Sequence, residues 1–162
     1  MPVATSIVTT YVLDMPIDDK DARDVYLNLI RAHERMNAEF TELFRAQGLT
    51  QAQYNVLRIL LGGPREGAPC QYIGERLLHR LPDVTRLIDR MVDAGFVQRQ
   101  RSESDRRVVL VRVTAKGRKL CDKLDGPVTE LHRKQVAHLS PSKVAALRKG
   151  LDELATVREQ TT

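Results

Sequence analysis

Between Tyr72 and Gly117 the apolar residues change their spacing, and that change limits what the chain can fold into. Up to Val92 they recur at helical intervals: a short helix from about Gln71 to Leu78, a turn at His79-Arg80-Leu81, then a second helix. Pro82 suits the first position of that second helix, because the donor it lacks would be unpaired there. Asp83 joins it in the first turn. Val84, Leu87, Ile88, Met91 and Val92 make the buried stripe, leaving Thr85, Arg86, Asp89, Arg90 and Asp93 on the other faces. Gly95 ends the helix as a left-handed residue would. Phe96 to Arg101 and Arg107 to Val113 then read as strands, the second rich in valine, with Ser102 to Arg106 as the tip. Two short helices, a glycine stop and a two-stranded ribbon leave little choice of architecture.

Charge is concentrated on the same stretch. From Arg76 to Lys119 there are twelve Lys and Arg against five Asp and Glu, whereas the whole chain carries a net +5. Everything outside the segment is therefore slightly acidic. Basicity focused on a helix and a ribbon is the electrostatic footprint of a polyanionic partner. A helix that can enter one groove and a ribbon that can reach the next suit double-stranded DNA.

The rest of the chain reads as helix. A long helix starts at Asp18 or Asp19, runs to about Ala46 and stops at Gly48. Val25, Leu29, Met36, Phe40, Leu43 and Phe44 fall at helical spacing, and Leu27, Ile30 and His33 widen the apolar face. That is more apolar surface than a small domain covers alone, so a partner chain is expected. Thr50-Gln51-Ala52-Gln53 is a capping box, with Leu49 and Tyr54 placed as a hydrophobic staple. The helix it opens passes through Val56, Leu57 and Leu60 and breaks at Gly62-Gly63-Pro64, before a flexible, polar loop to Pro69. After the ribbon, Thr114 caps a helix to Asp125; the chain meets Gly126-Pro127 and resumes through Val128, Leu131 and Val136. Ser140-Pro141 starts a last helix whose Val144, Leu147, Leu151 and Leu154 form an apolar seam.

With 42% hydrophobic residues, no tryptophan and few aromatics, the chain has an aliphatic core suited to helix packing. No apolar run approaches the roughly 20 residues of a membrane span. Met1 to Asp14 lacks a basic leader region and runs into acidic residues, so it reads as an arm, not a secretory signal. Cys70 and Cys121 lie far apart, suggesting neither a disulfide framework nor a metal knuckle; a cytoplasmic home is the default. Each reads as an inert small hydrophobe. The histidines His33, His79, His132 and His138 are scattered, and no metalloprotease, nucleophile-elbow or phosphate-loop motif occurs. No catalysis, metal or cofactor is expected.

From Asp18 to Ala155 this organisation resembles the MarR family of winged-helix regulators. The resemblance rests on Thr85-Arg86-Leu87-Ile88-Asp89-Arg90-Met91 as the recognition helix and on Gly95-Phe96-Val97 after it. It rests also on Asp105-Arg106-Arg107 as the wing's D-x-R, and on Val113-Thr114-Ala115-Lys116-Gly117 as its close. Val113 stands where leucine is common, and Pro82 where a small polar residue is frequent. The resemblance implies a mainly α fold with a small β-wing, a winged helix-turn-helix flanked by N- and C-terminal dimerisation helices. It divides the chain into an arm (1–17), a dimerisation region (18–48 and 114–162) and a DNA-binding domain (49–113). It implies a homodimer that binds a near-palindromic double-stranded DNA operator as a sequence-specific transcriptional regulator, commonly a repressor released by a small molecule. The alternative is a winged-helix module that binds DNA without sequence preference or binds protein.

On that resemblance Asp83, Thr85 and Arg86 lie at the end of the helix that faces the bases. Arg86 and Arg90 are placed for bidentate contacts to guanine or for phosphates. Arg80 meets the backbone, Arg107 enters the minor groove, and Asp105 pairs with an arginine of its own lobe to fix the wing tip. Arg99, Arg101 and Arg106 are read as phosphate contacts or general field. Relatives often bind small aromatic anions between the helical region and the DNA lobe; His33, Met36, Tyr54 and Arg58 are the pocket residues this implies. The cysteine that oxidant-sensing members carry in the first helix and the N-terminal tryptophan of the urate-responsive branch are both absent.

Overall fold

The computed structural model describes residues 17–156; most of the arm expected over 1–17 lies outside them. The elements in chain order are α1 (Asp19–Arg45), α2 (Gln51–Leu61), α3 (Cys70–Arg76), α4 (Val84–Asp93), β1 (Val97–Arg101), β2 (Val109–Val113), α5 (Ala115–Val136) and α6 (Pro141–Thr156). This is the mainly helical fold with a two-stranded wing that the pattern predicts. No described helix is long and apolar enough to cross a membrane.

The chain divides into two compact units, Met1–Ala38 and Glu39–Thr162, and α1 runs through the boundary. In the first unit Asp18 opens the helix: its carboxylate accepts the Lys20 amide at 3.3 Å, and Asp19 and Asp21 follow in the first turn. Val25, Tyr26, Leu29 and Ile30 stay exposed, Tyr26 at 63%.

The second unit holds the core. Phe44, Leu49, Val56, Leu57, Ile73, Ile88, Met91, Val111 and Leu124 pack there, aliphatic as expected. Each such side chain contributes about 1.5–3 kcal/mol on leaving water. The capping box of α2 forms as predicted: the Gln53 amide donates to Thr50 Oγ1 (3.2 Å), and Gln53 Oε1 accepts from the Thr50 amide (2.8 Å). The Leu139-Ser140-Pro141 start of α6 also holds, with Ser140 Oγ accepting the Lys143 amide at 3.4 Å.

The structure corrects several boundaries. The recognition helix begins at Val84, not Pro82; Asp83 is its N-cap and accepts the Arg86 amide at 2.8 Å. A carboxylate one residue from the helix satisfies an orphan amide, which a proline ring cannot. Helix α5 does not stop at Asp125 but runs unbroken through Pro127. Gly126 has no Cβ to clash with the proline ring, and buried Leu124 and core-packed Val128 hold the helix on the core on both sides of the proline. Cys70 does not precede α3 but is its first residue. The 62–69 loop is less free than expected: Ala68 is fully buried and forms a bridge with Val111, at 3.0 and 2.8 Å. Strand β2 begins at Val109, two residues later than the alternation suggests.

Candidate nucleic-acid interface

Helix α4 is seated by Leu87, Ile88 and Met91, which are 4%, 0% and 0% exposed. The seat turns Thr85, Arg86, Asp89 and Arg90 to solvent. At its C-terminus Gly95, at φ 72°, donates to Val92 (2.8 Å), and Phe96 donates to Met91 (2.9 Å). This paired closure needs a left-handed residue, which glycine adopts without a Cβ penalty. Lys116 Nζ then donates to the Ala94 carbonyl at 2.7 Å, putting a cation on the negative end of the helix.

The ribbon starts from the same corner. The β1–β2 register pairs Val97 with Val113 at the base and Arg101 with Val109 near the tip. The Thr114 hydroxyl donates to the Gly95 carbonyl (2.7 Å) and accepts the Gly117 amide (3.1 Å), locking the ribbon base to the start of α5. At the tip the Ser102 amide donates to Val108, closing a loop over Glu103–Arg107. Asp105 takes a different part from the one expected. Its carboxylate accepts the backbone amide of Arg107 at 2.9 Å; it pairs with no arginine side chain among the described residues. An aspartate two residues before an amide makes this local turn with little reorganisation, and it keeps Arg107 out of the strand ladder.

All ten predicted interface residues are exposed: Arg80 in the turn before α4, Asp83 at its cap, Thr85, Arg86 and Arg90 on it, Arg99 and Arg101 on β1, and Asp105, Arg106 and Arg107 at the tip. They are not equally available. Arg99 is committed to Asp89 of α4 at 2.8 Å, and Arg90 Nε donates to the Arg86 carbonyl at 3.3 Å. Thr85, Arg86, Arg106 and Arg107 have no side-chain partner among the described residues. The Asp89–Arg99 bridge is a feature sequence reasoning missed. Its signal is an acid in the middle of a basic helix face, which calls for a cation of its own.

The pocket residues fall in both units. His33 (exposed) and Met36 (half-buried) lie on α1 in the first. In the second, Tyr54 stacks on Phe44 with ring centroids 4.5 Å apart, and burial, above all, raises its phenol pKa. Arg58 is ion-paired with Asp125 of α5. A separate cavity of about 450 Å³ opens between the end of α1, the start of α2 and the turn into α4, its walls mainly Leu49, Ala52, Leu77, Leu78 and Leu81, with Arg45 at its edge. Sequence reasoning did not find it, because its walls come from three separate segments.

Cys121 is 1% exposed, and burial pushes its thiol up to about 11. Near neutral pH a thiol reagent is therefore expected to modify half-buried Cys70 first, and Cys121 only after denaturant is added. Mass spectrometry of the native, labelled protein checks this; equal labelling at both sites would contradict the packing around Cys121.

A seated helix with a polar, basic outer face, followed by an arginine-tipped ribbon, defines a winged helix-turn-helix DNA-binding protein. Residues 47–108 match a model of the MarR family. A crystal structure of a MarR transcription factor from Planctomyces limnophilus is 37% identical, covering 85% of this chain and 98% of that one, with a TM-score of 0.62. FarR of Neisseria gonorrhoeae, an HTH-type transcriptional regulator, is 26% identical over 145 residues, 90% of this chain and 97% of FarR. A mutant MarR from E. coli, crystallised with operator DNA, is 25% identical, covers 85% of this chain and 99% of its own, and has a TM-score of 0.71. The chain belongs to the MarR family of transcriptional regulators.

Proposed function

We propose that this chain is a sequence-specific regulator that acts in the cytoplasm as a homodimer on a near-palindromic double-stranded operator, as a repressor released by a small ligand. The observation that carries the reading is the exposed first turn of α4, where Thr85 and Arg86 stand free of side-chain partners among the described residues while Leu87, Ile88 and Met91 bury the opposite side. In this reading Thr85 and Arg86 lie on base edges, with Arg90 on guanine or phosphate. Arg80 and Arg106 meet the sugar-phosphate backbone, and Arg107 enters the adjoining minor groove. Asp83 and Asp105 hold the two contact loops in shape, and Arg99 places the ribbon against α4 through Asp89. The exposed apolar residues of α1 and of α6, where Leu147, Leu151 and Leu154 are 51%, 39% and 58% exposed, support pairing through the terminal helices. Two recognition helices would then reach major grooves about 34 Å apart.

A ligand in the cavity beneath the turn into α4 would bear directly on the placement of the recognition helix. At Tyr54 and Arg58 an anionic ligand would have to displace Asp125, so the apolar cavity is the better seat for an aromatic effector.

The test is a mobility-shift titration at fixed salt with the chain's own promoter region against random DNA. Specific binding tighter by roughly 10³-fold or more is expected; equal affinity would favour an architectural protein. Arg107→Ala is expected to weaken the specific complex by about 1–3 kcal/mol, with the dimer intact by sedimentation. Unchanged affinity would remove the wing from the interface.

A further inference from the structure

At the base of the ribbon three arginines from separate segments line one small pocket of about 150 Å³. Arg65 comes from the loop after α2, Arg112 from β2 and Arg118 from the first turn of α5. None of the three is paired with a carboxylate among the described residues, that of neighbouring Glu66 included. Three cationic side chains lining one space repel one another, and an anion bound there offsets that repulsion.

The pocket is held in shape by contacts of its own. Gln100 accepts from Arg112 Nη1 at 3.3 Å and donates to the Glu66 carbonyl at 3.1 Å, tying the Arg65 loop to the ribbon. The Ala68–Val111 bridge fixes the same loop from the other side. Gly67, at φ 102°, allows the close approach: a Cβ there would stand 2.6 Å from both the Val111 carbonyl oxygen and Arg112 Cγ. The pocket is separate from the DNA-facing tip. Val113 pairs with Val97 at the base, four residues from the Val109–Arg101 pair, or about 13 Å along the strand. No residue of α3 or α4 lines it.

We propose that Arg65, Arg112 and Arg118 form a binding site for a phosphoryl group, occupied by a small molecule that bears a phosphate or pyrophosphate. Guanidinium forks present paired N–H donors that match phosphate oxygens, and a space of about 150 Å³ is enough to seat a phosphate or pyrophosphate. The assignment goes beyond the operator reading and does not depend on it.

The probe is inorganic pyrophosphate, titrated into the full chain at ionic strength held constant with potassium chloride, with amide shifts recorded by NMR. Saturable shifts are expected at Gly63, Gly67, Arg112 and Arg118, with at least tenfold weaker binding in Arg112→Gln and in Arg118→Gln. Arg106→Gln, at the wing tip, should leave the affinity unchanged. Amide spectra unaltered elsewhere show that these exposed substitutions leave the fold intact. Shifts that do not saturate, that follow Arg106 and Arg107, or that survive Arg118→Gln would overturn the site. So would a loss of operator affinity in Arg118→Gln without pyrophosphate comparable to that of Arg107→Ala, which would make the pocket a DNA-phosphate contact. Pyrophosphate binding with no preference for any operator would uphold the site and count only against the regulator reading.

Discussion

Gly117→Ala is expected to lower the unfolding midpoint in denaturant by the equivalent of about 3 kcal/mol. Propensity alone predicts the opposite, since alanine inside a helix is favoured over glycine by roughly 0.5–1 kcal/mol. The tertiary surroundings reverse the sign. A Cβ at Gly117 would stand 2.2 Å from the Phe96 carbonyl oxygen, 3.1 Å from its carbon and 3.0 Å from Val113 Cγ1. The obstacle is backbone, so no rotamer change relieves it. Relief requires moving the first turn of α5 away from Phe96, which breaks the Thr114 hydroxyl's bonds to Gly95 and Gly117. The measurement is equilibrium unfolding at one fixed protein concentration, because a dimer's midpoint depends on it. A midpoint equal to the parent's, at equal slope, would show that α5 does not approach Phe96 this closely.

Ile88→Ala is expected to cost about 2–5 kcal/mol, the range for a buried aliphatic side chain cut back to a methyl. Ile88 is 0% exposed in the middle of the stripe that seats α4. Its loss leaves a space between α4 and the core that Leu87 and Met91 cannot fill without moving the helix. Thr85→Ala on the same helix, exposed and without a side-chain partner, should stay within about ±0.5 kcal/mol in stability. The pair therefore separates a buried from an exposed position on one helix: stability lost at position 88, with DNA affinity the quantity to follow at position 85. Coincident unfolding curves for Ile88→Ala and the parent would mean that α4 is not seated on this core.

Much of the fold was legible because its signals are local. The capping box at Thr50 and Gln53, the left-handed closure at Gly95 and the Ser140-Pro141 helix start each involve groups within about one turn, and all three form. The stripe Leu87, Ile88 and Met91 was readable from spacing, and so was the solvent-facing set of Thr85, Arg86 and Arg90. The misreadings came where two local signals competed. Proline and aspartate both favour a helix start, and the aspartate won at α4 because it supplies an acceptor. Gly126-Pro127 reads as a break, yet packing on either side carried α5 across it. Asp105 could bond to an arginine side chain or to the amide two residues on; the amide was nearer and cost less entropy to hold.

From residues alone came the element types, the buried stripe and the basic outer face, because periodicity and capping act over three or four positions. Only the folded chain could choose partners across long separations: Asp89 with Arg99, Arg58 with Asp125 sixty-seven residues on, and the Arg65 loop against Arg112. Those choices depend on which surfaces the packed core brings within a few ångströms. The same geometry decides which arginines are already committed and which remain available to bind.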